Sequence, residues 1–370
     1  MKKFLKHSLV IAGISASIFT AKAGNPDRAG QAGATELLVN GWSRSSGWGG
    51  VNSATVRGIE SSTLNIAGLA QINSTEITMA RTNWLVPSGV NINNIGLGQR
   101  IGENGVMGIT INSITFGDIP ITTVEQPEGG LGTYRPQFIN IGFAYAHKFS
   151  SSITGGILLR AISQEVVNVK AQGFAMDAGI QYATTSVKRT AGKAKFSKGK
   201  YRDDLRFGIS LRNIGPDMVF RGDGLSVTGT VNEGSFSSTL ENRAAKFNLP
   251  SLLHIGFAYD FRLDKDSNSY FHRLTAATNF TSNTFSRNQM GVGLEYAYKE
   301  FVMLRTAFTY EEGLFDIEKR TNALTGFSGG LTFELPFGSN TIGIDYSYRS
   351  TNPFQGIHSF GFRLGLGDKR

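Results

Sequence analysis

Leu253-His254-Ile255-Gly256-Phe257-Ala258-Tyr259-Asp260-Phe261 is the stretch that decides the fold. Its odd positions are large and apolar, and its even positions are small, polar or charged. Successive side chains of a strand point to opposite faces, so this segment has one greasy face and one crowded polar face. The period recurs along the chain. Leu205, Phe207, Ile209 and Leu211 alternate with Arg206, Gly208, Ser210 and Arg212. Ile342, Ile344, Tyr346 and Tyr348 alternate with Gly343, Asp345, Ser347 and Arg349, and Phe360, Phe362, Leu364 and Leu366 with Gly361, Arg363 and Gly365.

Two architectures give this pattern. A soluble sandwich buries the greasy face in a core, whereas an outer-membrane barrel turns it to lipid and keeps the polar face in its lumen. The segments are about 10–12 residues long, enough for a tilted strand to cross a bilayer, where soluble strands average ~5–6. Arginines and acids stand mid-strand beside glycine, which suits a hydrated, crowded interior. Tyr145/Phe149, Tyr259/Phe261, Tyr296/Tyr298 and Tyr346/Tyr348 sit near the apolar ends, as an interfacial aromatic girdle does. The pattern therefore predicts an all-β transmembrane barrel.

Strands are predicted at 74–85, 91–99, 105–116, 137–149, 152–164, 172–184, 203–213, 251–262, 271–282, 287–298, 300–311, 325–335, 340–350 and 356–367. That makes fourteen, an even number as bacterial single-chain barrels have. With the first strand running outward, the short links Arg100–Asn104, Ser150–Ser151, Lys299 and Pro336–Ser339 fall in the periplasm. The long links 117–136, 214–250 and 312–324 fall outside. The basic stretch 188–201 breaks the rule by placing a long link in the periplasm, so it is either a protrusion or the sign of a miscounted strand.

The chain begins with Lys2, Lys3 and Lys6, an apolar run over Ser8–Thr20, and Ala21-Lys22-Ala23. Charge, apolar run and small residues at −3 and −1 together predict a secretory signal peptide over 1–23, cleaved after Ala23. Its loss removes four lysines and no acid, which lowers the formal charge from +9 to +5 and with it most of the support for a nucleic-acid partner. The mean hydropathy of −0.13 suggests a soluble protein only because alternation averages two unlike faces. The 46 glycines among 370 residues exceed the ~7% of average proteins. Zero cysteine excludes disulfides, thiolate metal sites and cysteine nucleophiles.

Residues 24–73 show no alternation; Ala29–Val39 and Thr63–Ile72 are rich in helix formers and small residues. A stretch this long ahead of the first strand is more than a tail and is expected to fold as a plug inside the barrel or against its periplasmic mouth, the barrel itself occupying 74–370. Catalytic signals are weak. His7, His147, His254, His272 and His358 are scattered, with His147 and His272 on lipid-side positions near strand ends. Gly96-Leu97-Gly98 with Gly102 lacks the spacing of a dinucleotide loop and opens no helix. No catalytic, cofactor-binding or metal-ligating set is assigned, and the chain is read as a non-enzyme. Arg206 and Arg212, with Asp204, Asp345 and Arg349, are expected in the lumen as structural ion pairs.

Gly24-Asn25-Pro26-Asp27-Arg28-Ala29-Gly30-Gln31-Ala32-Gly33-Ala34 resembles the opening of the PorV/PorQ family, relatives of the long-chain fatty-acid transporter FadL. Asn65-Ile66-Ala67-Gly68-Leu69-Ala70 is similar to an Asn-Pro-Ala-Gly-Leu-Ala element of that family, with Ile66 in place of proline. Met176–Tyr182 and Leu205–Gly215 resemble its paired mid-barrel strands. The end, Gly367-Asp368-Lys369-Arg370, departs from the family's frequent terminal aromatic, and 188–201 is longer than its usual link. The resemblance implies a fourteen-stranded outer-membrane barrel of Bacteroidetes-type bacteria with an N-terminal segment inside. It further implies a part in type IX secretion: binding secreted cargo C-terminal domains or a large translocon barrel at the outer face. Lipid or lipopolysaccharide is the other expected partner, and no cofactor is expected. Tyr134, Arg135, Phe220, Arg221 and Phe315, in the long outer links, are the candidate partner-binding residues, since aromatics and arginine are enriched at interface hot spots. The alternative is a FadL-like channel for fatty acids or other hydrophobic molecules; a general porin is a weaker third, because the inserted segment would block the bore.

Overall fold

The computed structural model describes residues 26–184, 204–230, 237–264 and 271–367. The signal segment 1–23 and the basic link 188–201 lie outside the described residues. Fourteen long strands form the wall: β1 (Thr75–Trp84), β2 (Val90–Ile101), β3 (Gly105–Thr115), β4 (Gln137–Lys148), β5 (Ile153–Val166), β6 (Val169–Ala183) and β7 (Asp204–Ile214). The rest are β8 (Leu252–Arg262), β9 (His272–Asn283), β10 (Gln289–Tyr298), β11 (Val302–Glu311), β12 (Leu324–Phe337), β13 (Asn340–Thr351) and β14 (Ile357–Leu366). Each pairs antiparallel with its sequence neighbour, and β1 pairs with β14 from Thr75↔Leu366 to Asn83↔His358, so the sheet closes on itself. Closure leaves no unpaired edge, the condition for a sheet to stand in lipid.

The expected strands are all present. β5 and β6 are longer than expected: they meet in a tight turn at 167–168, where the sequence suggests a longer link. Beyond Ile162 the alternation fades into Gln164, Glu165 and Lys170, but the ladder runs on to Val166↔Val169. The backbone needs no apolar face once it has left the lipid. β6 and β7, on either side of the basic link 188–201, pair directly with each other. The loop end of the barrel carries the long links 116–136, 215–251 and 312–323 as well as the tight turn at 167–168, and the opposite turn end carries the short links 102–104, 149–152, 299–301 and 338–339. Short hairpins decorate two of the loops, Ile119–Pro120 with Thr133–Tyr134 and Ser226–Thr230 with Ser237–Glu241.

The greasy face points outward, as in Phe143, Leu159, Phe174, Leu294 and Phe362, all exposed. The alternate positions are buried in the lumen, among them Thr78, Asn140, Asp177, Arg305 and Ser359. Girdle tyrosines pair with lipid-side histidines: Tyr145 Oη lies 3.2 Å from His147 Nδ1, Tyr296 Oη 2.7 Å from His272 and Tyr346 Oη 2.9 Å from His358. Amphipathic rings with a polar tip suit the headgroup layer. Alternation breaks near the loop end of β7. Asn213 has φ 58, a left-handed conformation that asparagine tolerates, and the register shifts there. Asn213 as well as Arg212 thereby turns inward, buried.

Candidate functional site: the plugged lumen

Residues 26–74 thread the barrel from the loop end to the turn end. Ala32 bridges to Asn248 in the long outer loop, and the segment then passes through the turn Thr35–Leu38, the short helix α1 (Ser43–Gly47) and the 3-10 turns Ile59–Thr63 and Ile66–Gln71 before entering β1. Helix-former content thus gives single turns here, because a lumen crowded with wall side chains leaves no room for long helices.

The wall makes room with glycine. A Cβ at Gly96 would stand 2.5 Å from Ile59 Cγ1, one at Gly256 2.1 Å from Ser53 Oγ, one at Gly291 2.4 Å from Val51 Cγ2, and one at Gly179 2.2 Å from Asn65 Oδ1. Asn65 shows what the Asn65–Ala70 element does. Its Oδ1 accepts from Ala67 N at 3.2 Å and caps the 66–71 turn, while Nδ2 donates to Ile180 O of β6 at 3.1 Å. Within the same element Gly68 packs on backbone, where a Cβ would be 2.2 Å from Val56 O.

Both halves of the wall hold the plug through apolar packing, with polar contacts beside it. On the β1–β5 side Trp42, Ile59, Ile66, Leu69 and Ile72 form an apolar cluster with Ala80, Val106, Ala144, Ala146 and Leu158. Next to it Arg160 bonds Asp177 at 2.8 Å and donates to the plug carbonyl Ser62 O at 3.1 Å, and Gln181 donates to Ser53 O and Val56 O. On the β7–β14 side Trp48, Val51 and Ala54 pack on Ala258, Ala277 and Ala307, and a chain of charges runs round the wall. Arg206 pairs with Asp260 at 2.5 Å; Arg273 reaches Glu295 at 3.0 Å and Glu300 at 2.7 Å. Arg305 pairs with Glu295 at 3.0 Å and donates to Thr332, which donates to Asp345; Arg363 pairs with Glu334 at 2.9 Å. The expected lumen position of Arg206 and Arg212 holds, and Arg212 lies 3.8 Å from Asp177.

Glu60 of the plug escapes sequence reasoning. Its carboxylate accepts from Ser45 N at 3.2 Å and Ser45 Oγ at 3.0 Å, tying 59–63 to α1. Burial pushes it up to about 7, and nearby Asp345 adds to the rise. An acidic residue among small ones carries no mark in sequence of being enclosed. Asn94, Asn140, Glu36, Arg160 and Arg212 line a cavity of about 30 Å³, room for one or two waters. Among the described residues no three acidic or histidine side chains are placed to hold a metal.

The candidate partner residues do not form one patch. Tyr134 lies in the Thr133–Tyr134 hairpin and Arg135 pairs with Asp118 beside it. Phe220 turns inward and packs against Phe247 with centroids 5.6 Å apart, while its neighbour Arg221 is exposed. Phe315 stands 77% exposed on a third loop, stacked 6.2 Å from Phe308.

No protein-family model matches this sequence, and no curated protein matches it. Solved structures do. The deltaS2S3 mutant of the monoaromatic hydrocarbon channel TodX superposes with TM-score 0.52 at 10% identity, over 87% of this chain and 97% of that one. The fold is the closed β-barrel of that channel. The monoaromatic hydrocarbon channel CymD gives TM-score 0.49 at 13% identity, over 88% of this chain and 97% of that one. The toluene transporter TodX of Pseudomonas putida gives 0.49 at 9%, with the same coverage. At these identities the likeness is one of fold.

Proposed function

We propose that this chain is a plug-gated outer-membrane channel for small hydrophobic molecules, described here in its closed arrangement. What supports the reading is the barrel it shares with the monoaromatic hydrocarbon channel TodX across most of both chains. The plug fills the lumen and the wall behind it is charged and glycine-rich, so passage requires the plug to shift. The test is uptake of radiolabelled toluene and oleate by a deletion strain with and without the restored gene. The channel reading expects faster uptake of at least one on restoration; equal rates for both would remove it.

A second reading keeps the PorV/PorQ resemblance: a non-enzymatic secretion component that binds cargo C-terminal domains or a translocon barrel at its outer face. It is favoured by a lumen with polar walls and by apolar side chains at the loop end, Val124, Phe315 and Ile317, that are almost wholly solvent-facing. Cross-linking of intact outer membranes followed by mass spectrometry tests it. Recovery of a secretion-system subunit or cargo domain supports it, and recovery of lipid and general porins alone counts against it.

A further inference from the structure

The plug is held at its two ends by different means. At the turn end it continues covalently into β1, and Arg100 of β2 braces the junction. Arg100 Nε donates to Asn73 O at 2.7 Å, and Nη2 donates to the carbonyls of Ala70, at 3.2 Å, and Ile72. At the loop end the hold is noncovalent. Gly33 N donates to Asn248 O at 3.0 Å and Ala32 forms a parallel bridge with Asn248. Arg28 donates to Asn248 Oδ1 at 3.2 Å and lies 4.2 Å over the Phe285 ring. Phe247 covers Gly33, where a Cβ would be 2.2 Å from the ring, and buried Ala34 and Leu37 pack with Met218 and Leu249. Apart from Phe285 and the wall residues beneath, these partners all belong to the long outer link between β7 and β8.

We infer that this outer loop is a releasable latch on the plug, so that an event at the outer face is passed into the lumen through Met218, Phe247 and Asn248. Loops are the less stable parts of a fold, and this one joins the plug through a few side chains and two backbone contacts. When it lifts, Leu37 loses its apolar cover. The next supports are the hydrogen bonds from Arg212 Nη2 to Leu37 O, 3.2 Å long, and from Gln164 Nε2 to Glu36 Oε2, 2.7 Å long. The plug then loosens from the loop end downward while Arg100 keeps its lower end in place. The inference concerns how the plug is held and not what passes, so it stands or falls separately from the uptake assay.

The chain has no cysteine, which makes a single reporter unambiguous. Ser61 is fully buried in the plug and its Oγ has no hydrogen-bond partner, so Ser61→Cys is a mild change. In purified full-length protein, maleimide labelling of S61C should rise tenfold or more when Phe247→Ala is added, and again with Met218→Ala. Arg28→Ala should give a smaller rise. Unchanged labelling in all three would overturn the latch. Each variant is first checked for heat-modifiable migration of the folded barrel. Should the apolar variants fail that check, the S61C protein carrying A32C and N248C gives the reading. Oxidation should cross-link 32 to 248 and slow labelling of residue 61, with recovery on reduction. Failure of the cross-link to form, or labelling indifferent to it, also overturns the inference.

Discussion

Replacing Ile59 with alanine should free the plug without opening the barrel. Ile59 is wholly buried and fits against the flat backbone at Gly96 and Gly108, where added Cβ atoms would stand 2.5 and 3.0 Å from it. The change removes three carbons, a transfer loss of about 2.4 kcal/mol at ~0.8 kcal/mol each. The wall behind is a hydrogen-bonded ladder from Asn91↔Thr115 to Ile101↔Gly105 and cannot collapse into the gap. A cavity contribution therefore adds to the loss, which should reach about 3–4 kcal/mol, inside the usual range for such truncations. At ~1.4 kcal/mol per tenfold, the undocked plug becomes roughly 100- to 1000-fold more populated. Hydrogen exchange with mass spectrometry would report this as faster exchange in peptides covering 55–72. Amides of β2 and β3 should keep their protection, because the barrel ladder does not depend on the plug for its pairing. Plug exchange at the wild-type rate would refute the packing argument. An equal loss across β1–β5 would refute the separation of plug from wall.

Two further perturbations probe the charged half. Glu295→Gln leaves Arg305, with a side chain 0% exposed, and Arg273 short of a carboxylate, so urea unfolding in micelles should show a loss of about 3–5 kcal/mol; a loss below 1 kcal/mol would mean water already serves that site. Glu60 is held above its ordinary range by burial, so the folded plug binds its proton more tightly than the unfolded one does. Its contribution is present in full below pH 4.5 and fades as pH rises through about 7; plug exchange should accelerate from pH 5 to pH 8 after correction for intrinsic rates, and Glu60→Gln should flatten that slope.

The wall was readable because lipid imposes a strict rule. Every second residue from Leu253 to Phe261 must be apolar, and a slip of one residue would turn that whole set into the lumen. Where lipid stops, so does the signal. The tight turn at 167–168 and the inward-turned Asn213 both lie past or at the margin of the apolar band, and they follow from ladder register, which composition does not encode. The ion pairs were legible only as residue types on one face. Arg206 finds Asp260 and Arg212 finds Asp177 through neighbours set by closure of the barrel. The loop residues were chosen by type alone, and type does not say that Phe220 folds inward while Phe315 faces solvent.

The plug left a clearer trace in the wall than in its own sequence. An empty lumen would accept serine, threonine or asparagine at any inward position, since water would satisfy them. Here Gly96 and Gly98 on β2, Gly108 on β3, Gly179 on β6, Gly208 on β7, Gly256 on β8, and Gly291 and Gly293 on β10 all meet plug atoms closer than a Cβ allows or at its tightest limit. These glycines lie on both halves of the wall and meet apolar side chains, polar side chains and backbone, so they cannot be ascribed to one local turn or to one kind of contact. Glycine in a strand interior weakens the strand, and repeating it on six strands would be a poor design without a return. The return is shape: the wall is relieved along the path the segment takes from Gly33 to Ile72. These inward glycines are thus an imprint of the plug, while others serve turns with positive φ, and a barrel of this sequence stripped of residues 26–72 would be left with a grooved lumen in place of a packed one.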